Sequence, residues 1–289
     1  MRLGERLREW NIRAQVAVRE GTTLPDLEIG EFRADVLGVL TPVGGKSLSM
    51  VYLIEMNGRK YAMKLWSNTR DGARHMVSDF LNECERQKLS RDDFPANLQL
   101  PFEVNEQGML VEYFEGQSWQ DFLLGEASLE EKIEVSKNVM EGILELLSEM
   151  ESIGLIHRDI KLGNILLHPD GRVVLIDPDH ISFLKDAEKN YSQTGTAYYR
   201  PKPNHPRGSE NTHARDLYSL AKGIICSLNT ESFGFNSNSI QNLDSSERKK
   251  RFNLIYLAGI ILQTYDDSPE VTLSATAYLH LFQDIFRGN

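Results

Sequence analysis

Near residue 114 the hydrophobic pattern of this 289-residue chain changes period. Before that point, short β-rich runs alternate with turn residues. Beyond it, apolar residues recur every three to four positions over long stretches. Such a switch restricts the chain to a sheet-built first part and a helix-built second part, the α+β class. The clearest single element is a hairpin in which MVYLIEM (50–56) and RKYAMKL (59–65) flank Asn57-Gly58. Both turn residues tolerate positive φ, as a type I′ turn requires. Leu37–Leu40 is expected to precede it as a strand, and Leu98–Phe102 with Gly108–Phe114 to follow as a strand pair. Between them, Val77, Phe80, Leu81, Cys84 and Lys88 space out a helix from Arg74 to Leu89.

In the second part, Ser118–Leu123 reads as a short helix and Leu129–Ile153 as a long one. Its stripe runs through Ile133, Ser136, Val139, Met140, Ile143, Leu144, Leu147 and Met150, and Gly154 is placed to end it. A hairpin is expected across the turn HPDG (168–171). A long loop over 182–213 and helices at about 216–228, 248–265 and 270–286 follow. The domain reading is an N-terminal helical extension (1–35), a small β-rich lobe (36–114) and a larger, mostly helical lobe (115–289), with a ligand expected in the cleft between lobes.

Composition narrows the classes. Net charge is −10 with no basic block, which argues against a nucleic-acid binder. Two cysteines, Cys84 and Cys226, do not make a disulfide scaffold. The opening MRLGERLREWNIRAQ has no apolar core for a signal peptide, and the stretch Ile255–Leu262 is too short to span a bilayer. A cytoplasmic protein without integral membrane association is expected, and export to a host cell by a non-hydrophobic signal stays open.

Four segments carry chemistry. His157-Arg158-Asp159-Ile160-Lys161-Leu162-Gly163-Asn164 is followed, across the hairpin, by Asp177; Tyr61-Ala62-Met63-Lys64 closes a strand; Leu110–Gly116 joins the two parts. Together they resemble the signature of the eukaryotic-type protein kinase family, with Ile160 where the catalytic-loop pattern has Leu. The resemblance covers about Leu40 to Phe286 and implies a bilobal kinase-like fold. It implies that Asp159 orients the substrate hydroxyl and accepts its proton late, and that Asn164 and Asp177 hold Mg²⁺, with Mn²⁺ as an alternative. Lys161 would offset charge on the transferring phosphate. Asp216 resembles the buried aspartate that braces the loop, with His157 in that support and not a base. Thr196, in Gly195-Thr196-Ala197-Tyr198-Tyr199, would bond Asp159 and Lys161.

Lys64 stands in an apolar strand, where an unpaired ammonium is costly. ATP phosphates and a carboxylate would resolve that cost. Glu83 is the expected carboxylate, and Glu85, about 200° round the helix, is its competitor. The backbone of Glu112–Phe114 is expected to meet the adenine edge. Val111 would close the back of that pocket, with Val51 and Ala62 above the ring and Leu166 below.

The chain departs from the family in three places. The glycine-rich lid keeps Gly44 but has Lys46 and Ser49 where glycines belong, and Lys46 either contacts phosphate or faces solvent. Asp177-Pro178-Asp179 stands for D-F-G, and Asp179 either adds charge near the metal or caps the next turn. Pro201-Lys202-Pro203 replaces the closing Pro-Glu. The expected function is transfer of phosphate from ATP-Mg to Ser/Thr hydroxyls of a protein substrate, with autophosphorylation on the segment 181–203, Thr194 first. The alternatives are a phosphotransferase acting on a small molecule or lipid, and a nucleotide-binding pseudokinase or scaffold.

Overall fold

The computed structural model describes residues 27–29, 32–40, 50–66, 71–104, 108–187, 195–201, 212–267 and 274–287. The expected helix near Leu3–Trp10 lies outside them, as do Gly44 and Lys46 of the expected lid, and Tyr191, Ser192 and Thr194. The chain divides into two compact units: residues 1–89 with 99–113, and residues 90–98 with 114–289.

The first unit is an antiparallel sheet with one helix. Its strands are β1 (Leu27–Ile29), β2 (Phe32–Val39), β3 (Met50–Met56), β4 (Arg59–Leu65), β5 (Pro101–Val104) and β6 (Gly108–Glu112), in the order β1-β2-β3-β4-β6-β5. Asn57 and Gly58 join β3 to β4 with φ of 53° and 73°, the left-handed pair that a two-residue turn needs. The register sets Val51 opposite Lys64 and Leu53 opposite Ala62. Alternation then puts Val51, Ala62 and Lys64 on one face of the sheet. Helix α1 (Asp71–Gln87) lies on that face: Val77 is buried with Ala62, Met109 and Val111, and Leu81 and Val51 pack against them. The other face carries Tyr52, Ile54, Met63 and Leu65. Pairing begins earlier than Leu37, because β2 starts at Phe32 and β1 adds an edge. The strand expected from Leu98 starts at Pro101 instead; Leu98 bridges Leu175 in the second unit.

The second unit is mostly helical. A small sheet, β10-β9-β7, is made of β7 (Gln117–Ser118), β9 (Ile165–Leu167) and β10 (Val173–Leu175), and β8 (Leu155–Ile156) pairs with β11 (Ser182–Phe183). Ser118 caps α2 (Trp119–Leu124) by accepting from the Asp121 N–H at 3.0 Å. Ser128 and Glu131 form a capping box at the start of α3 (Leu129–Ser152), and Gly154 turns the chain after it at φ 66°. The whole expected stripe of α3 is buried. Lys132 is buried beside it because its ammonium donates to the Phe233 carbonyl at 3.2 Å, an arrangement periodicity does not reveal. The loop expected over 182–213 holds β11 and a one-turn helix α4 (Leu184–Ala187). The polar stretch 229–245 contains α6 (Ser237–Asn242), capped by Asn236. Helices α5 (His213–Asn229), α7 (Ser245–Asp267) and α8 (Ala275–Arg287) complete the unit, α5 packing on α3 and α7, and α8 on α3.

Candidate active site

Asp216, in the first turn of α5, is fully buried, and both its oxygens are used. One accepts the His157 N–H at 2.7 Å and the other the Arg158 N–H at 2.8 Å. A buried carboxylate holding two backbone donors fixes the loop leaving β8 to the helix that forms the unit's core. Arg158 sits at φ 68°, a conformation disfavoured for a side-chain-bearing residue, so the surrounding bonds must hold it there. Its Nε donates to the His180 carbonyl at 2.8 Å, and Arg215 Nη2 donates to the Arg158 carbonyl at 3.2 Å. Burial, with Arg215 nearby, pushes the Arg158 guanidinium down to about 10, against the pull of Asp216. His157 is completely enclosed; its Nδ1 accepts from the Asp159 N–H at 3.4 Å, and among the described residues its Nε2 has no hydrogen-bond partner. Burial holds this imidazole below its ordinary value, outweighing Asp216, Asp159 and Asp177, and so keeps it neutral.

From this braced loop Asp159 points into a cluster of four donors. Its Oδ2 accepts from Lys161 Nζ at 2.7 Å and Asn164 Nδ2 at 3.1 Å. Its Oδ1 accepts from the Thr196 N–H at 2.7 Å and the Thr196 hydroxyl at 2.9 Å. Lys161 also donates to Thr196 Oγ1 at 3.2 Å. Burial raises the proton affinity of Asp159 and Asp177 adds to this, but the Lys161 ammonium and its hydrogen bond prevail and hold the carboxyl below its usual range. Asp159 is therefore ionised at neutral pH. Gly195, at φ +79°, lets Thr196 come this close.

Asn164 and Asp177 are brought together by backbone: the Ile176 N–H donates to the Asn164 carbonyl at 2.8 Å, across the hairpin of β9 and β10. Asn164 Nδ2 is used on the Asp159 side chain and carbonyl, which leaves Oδ1 as its acceptor. Asp177 adopts φ 70°, ψ 66° at the N-cap position of a 3₁₀ turn, Pro178–His180, with the proline at its first position. The left-handed residue of this motif is thus Asp177. Asp179 lies inside the turn with a buried side chain and needs no glycine there. Among the described residues no cluster of three or more His, Cys, Asp or Glu is placed to hold a metal alone. One carboxylate and one amide oxygen nevertheless suit Mg²⁺, which takes oxygen donors and completes its shell with water and substrate phosphates.

In the first unit Lys64 is buried on β4, two residues from Ala62 and on the α1 side of the sheet. Glu83 of α1 is partly buried, its carboxylate accepting from Arg86 and Gln87 of its own helix, whereas Glu85 faces solvent. At the end of β6 the Glu112 carbonyl accepts from Gln99 Nε2 at 2.6 Å, and its N–H pairs with the Leu100 carbonyl at 3.3 Å. Val51 and Ala62 pack in the cluster that also holds Val111, while Leu166 on β9 and Phe114 belong to the second unit, both partly buried. Sequence reasoning missed Gln99, Arg215 and the His180 carbonyl. Gln99 and Arg215 are polar residues outside any apolar period, and a carbonyl leaves no trace in side-chain pattern.

The profile of the protein kinase domain matches residues 39–287, and the chain belongs to that family. Among curated proteins it is similar to a serine/threonine-protein kinase of Corynebacterium efficiens, 29% identical over 196 residues, which are 63% of this chain and 36% of that protein. It is also similar to the serine/threonine-protein kinase PrkC of Bacillus subtilis, 26% identical over 195 residues, 65% of this chain and 29% of the relative. A human relative, serine/threonine-protein kinase 32B, is 27% identical over 179 residues, 58% of this chain and 41% of its own. The chain thus spans well under half the length of these relatives. Among the described residues no helix is long and apolar enough to cross a membrane.

Proposed function

We propose that this chain is a cytoplasmic catalytic domain that transfers the γ-phosphoryl group of ATP to Ser/Thr hydroxyls of a protein substrate. The observation that carries the reading is the ionised Asp159 set among Lys161, Asn164 and Thr196 and braced by Asp216. Phosphoryl transfer asks for positioning and charge neutralisation more than covalent chemistry, and this cluster offers both. Asp159 orients the acceptor hydroxyl and takes its proton late. Lys161 steadies the charge on the moving group, and Thr196 holds Asp159 and Lys161 in register.

Asn164 and Asp177 would hold Mg²⁺, or Mn²⁺ in its place, and Lys64 with Glu83 would serve the ATP phosphates. The metal when bound neutralises charge on those phosphates. Val51, Ala62, Val111 and Leu166 would line the adenine site, Glu112 and Phe114 would present backbone to its edge, and Gly44 and Lys46 would belong to the phosphate lid. Lobes over 36–114 and 115–289, after an extension over 1–35, complete this reading. Autophosphorylation at Thr194 belongs to it as well, because Thr196 is already committed to Asp159.

The test is incubation with labelled ATP, Mg²⁺ and a mixed protein substrate, followed by phosphoamino-acid analysis. Asp159→Asn keeps the shape but cannot take a proton. It should lower kcat by about 10²–10⁴ with little change in ATP affinity. It should also lower the melting temperature, because its amide N–H faces donors that Asp159 accepts from. Equal rates, or a parallel loss of ATP binding, would sink the assignment.

A further inference from the structure

Helix α7 carries apolar side chains on two sides, and packing accounts for one. Leu254, Leu257, Ala258, Ile261 and Tyr265 are fully buried. On the opposite side Phe252 is 64% exposed and Tyr256 55%, their rings stacked at 6.1 Å and 11°. Arg248 and Lys249 lie on this same side, one turn before Phe252, and both are exposed. The four consecutive cations 248–251, fewer than make a basic block, are therefore divided. Lys250 turns to Glu134 and Glu247, and Arg251 to the Leu228 carbonyl, while the other two flank the aromatic pair. Arg248 gives one N–H to the Gln241 carbonyl at 3.2 Å. Of the acids just before them in sequence, Glu247 pairs with Lys250, and Asp244 accepts the Glu247 N–H at the helix start.

Two stacked rings held in water, bordered by cations not neutralised by those acids, have the composition of a recognition surface and not of an ordinary solvated face. We propose that the stripe Arg248, Lys249, Phe252 and Tyr256 docks an acidic segment of a protein partner bearing an aromatic or large aliphatic side chain. The rings offer a flat π face to that side chain, and the two cations take its flanking carboxylates. Charge selects the occupant. The whole chain carries −10, which opposes both a second copy and an extended anionic bilayer. A short segment feels mainly the charges within about 8 Å, the screening length in physiological salt.

The probe is a fluorescein-labelled peptide, Asp-Glu-Phe-Glu-Asp-Leu-Asp-Glu, titrated with the full chain by anisotropy. A peptide with lysines for the acids and one with serines for Phe and Leu serve as controls. The acidic peptide should bind best, and raising salt from about 50 to about 300 mM should weaken it. Phe252→Ser with Tyr256→Ser, and separately Lys249→Glu, should each weaken it about tenfold or more without lowering the melting temperature. Phosphatidylserine-containing vesicles should not bind by this stripe, and sedimentation should give one species with or without it. The proposal is overturned by a wild-type chain that ignores the acidic peptide, by variants that bind it equally, or by equal binding of the basic peptide. Vesicle binding or self-association lost in the same variants would overturn it too.

Discussion

Gly195 passes so close to Arg158 that a Cβ on the glycine would stand 2.4 Å from the Arg158 carbonyl oxygen. The same carbon would lie 3.2 Å from Asp159 Oδ1, and the glycine φ of +79° is itself unfavourable for any other residue. Gly195→Ala should therefore push Thr196 away from Asp159. Misplacement by about 1 Å commonly costs about 10²-fold in rate, and a loss of that order in kcat is expected with ATP affinity kept. Steady-state kinetics beside nucleotide titration would check it; an unchanged kcat would show that Thr196 does not matter to turnover.

Asp216→Asn replaces an acceptor oxygen by a donor opposite a backbone N–H. Either His157 or Arg158 then loses its partner in a fully buried place. An unsatisfied buried donor costs about 1–3 kcal/mol. The urea midpoint should fall accordingly at unchanged m-value, and activity should fall with it.

His157 gives stability a pH dependence of known sign. Burial holds its folded value below the 6.5 of an exposed imidazole. As pH falls below about 6.5 the unfolded chain gains a proton that the folded chain does not. Stability therefore drops by up to about 1.4 kcal/mol per pH unit until the folded value is reached. His157→Phe should flatten this part of the curve relative to wild type. Parallel denaturation curves for both proteins between pH 7 and pH 5 would remove His157 as the source.

Lys64→Ala and Asp177→Ala should each abolish phosphoryl transfer and leave the circular dichroism spectrum unchanged. Asp177→Ala should also weaken the Mg²⁺ dependence of nucleotide binding, read by calorimetric titration. Undiminished turnover in either variant would place the chemistry elsewhere.

Much of this was legible because it is local. The Asn57-Gly58 turn, the α3 stripe and the run from His157 to Asn164 each announce themselves within a few residues. What escaped depends on distant partners. The pairing of Leu98 with Leu175, and of Ser182–Phe183 with Leu155–Ile156, involves segments too short to show a period. Lys132 and Arg215 were unreadable for another reason: a charge implies exposure unless a buried acceptor is known, and their acceptors, the Phe233 and Arg158 carbonyls, are backbone atoms. In the Asp177-Pro178-Asp179 segment the D-F-G pattern puts its glycine at the third position, whereas here the left-handed residue is the first, Asp177.

A carboxylate offers about four acceptor positions, and those of Asp159 are occupied by Lys161, Asn164 and both donors of Thr196. A newcomer can enter only by exchange. The even trade is a hydroxyl for the Thr196 hydroxyl, since the Thr196 N–H can stay in place and the local charge balance is untouched. A lone water arriving there gains the same single bond but brings no binding energy from elsewhere to displace the occupant. Under the proposed function, the acceptor hydroxyl would thus take its place at Asp159 by displacing a bond that the protein already makes.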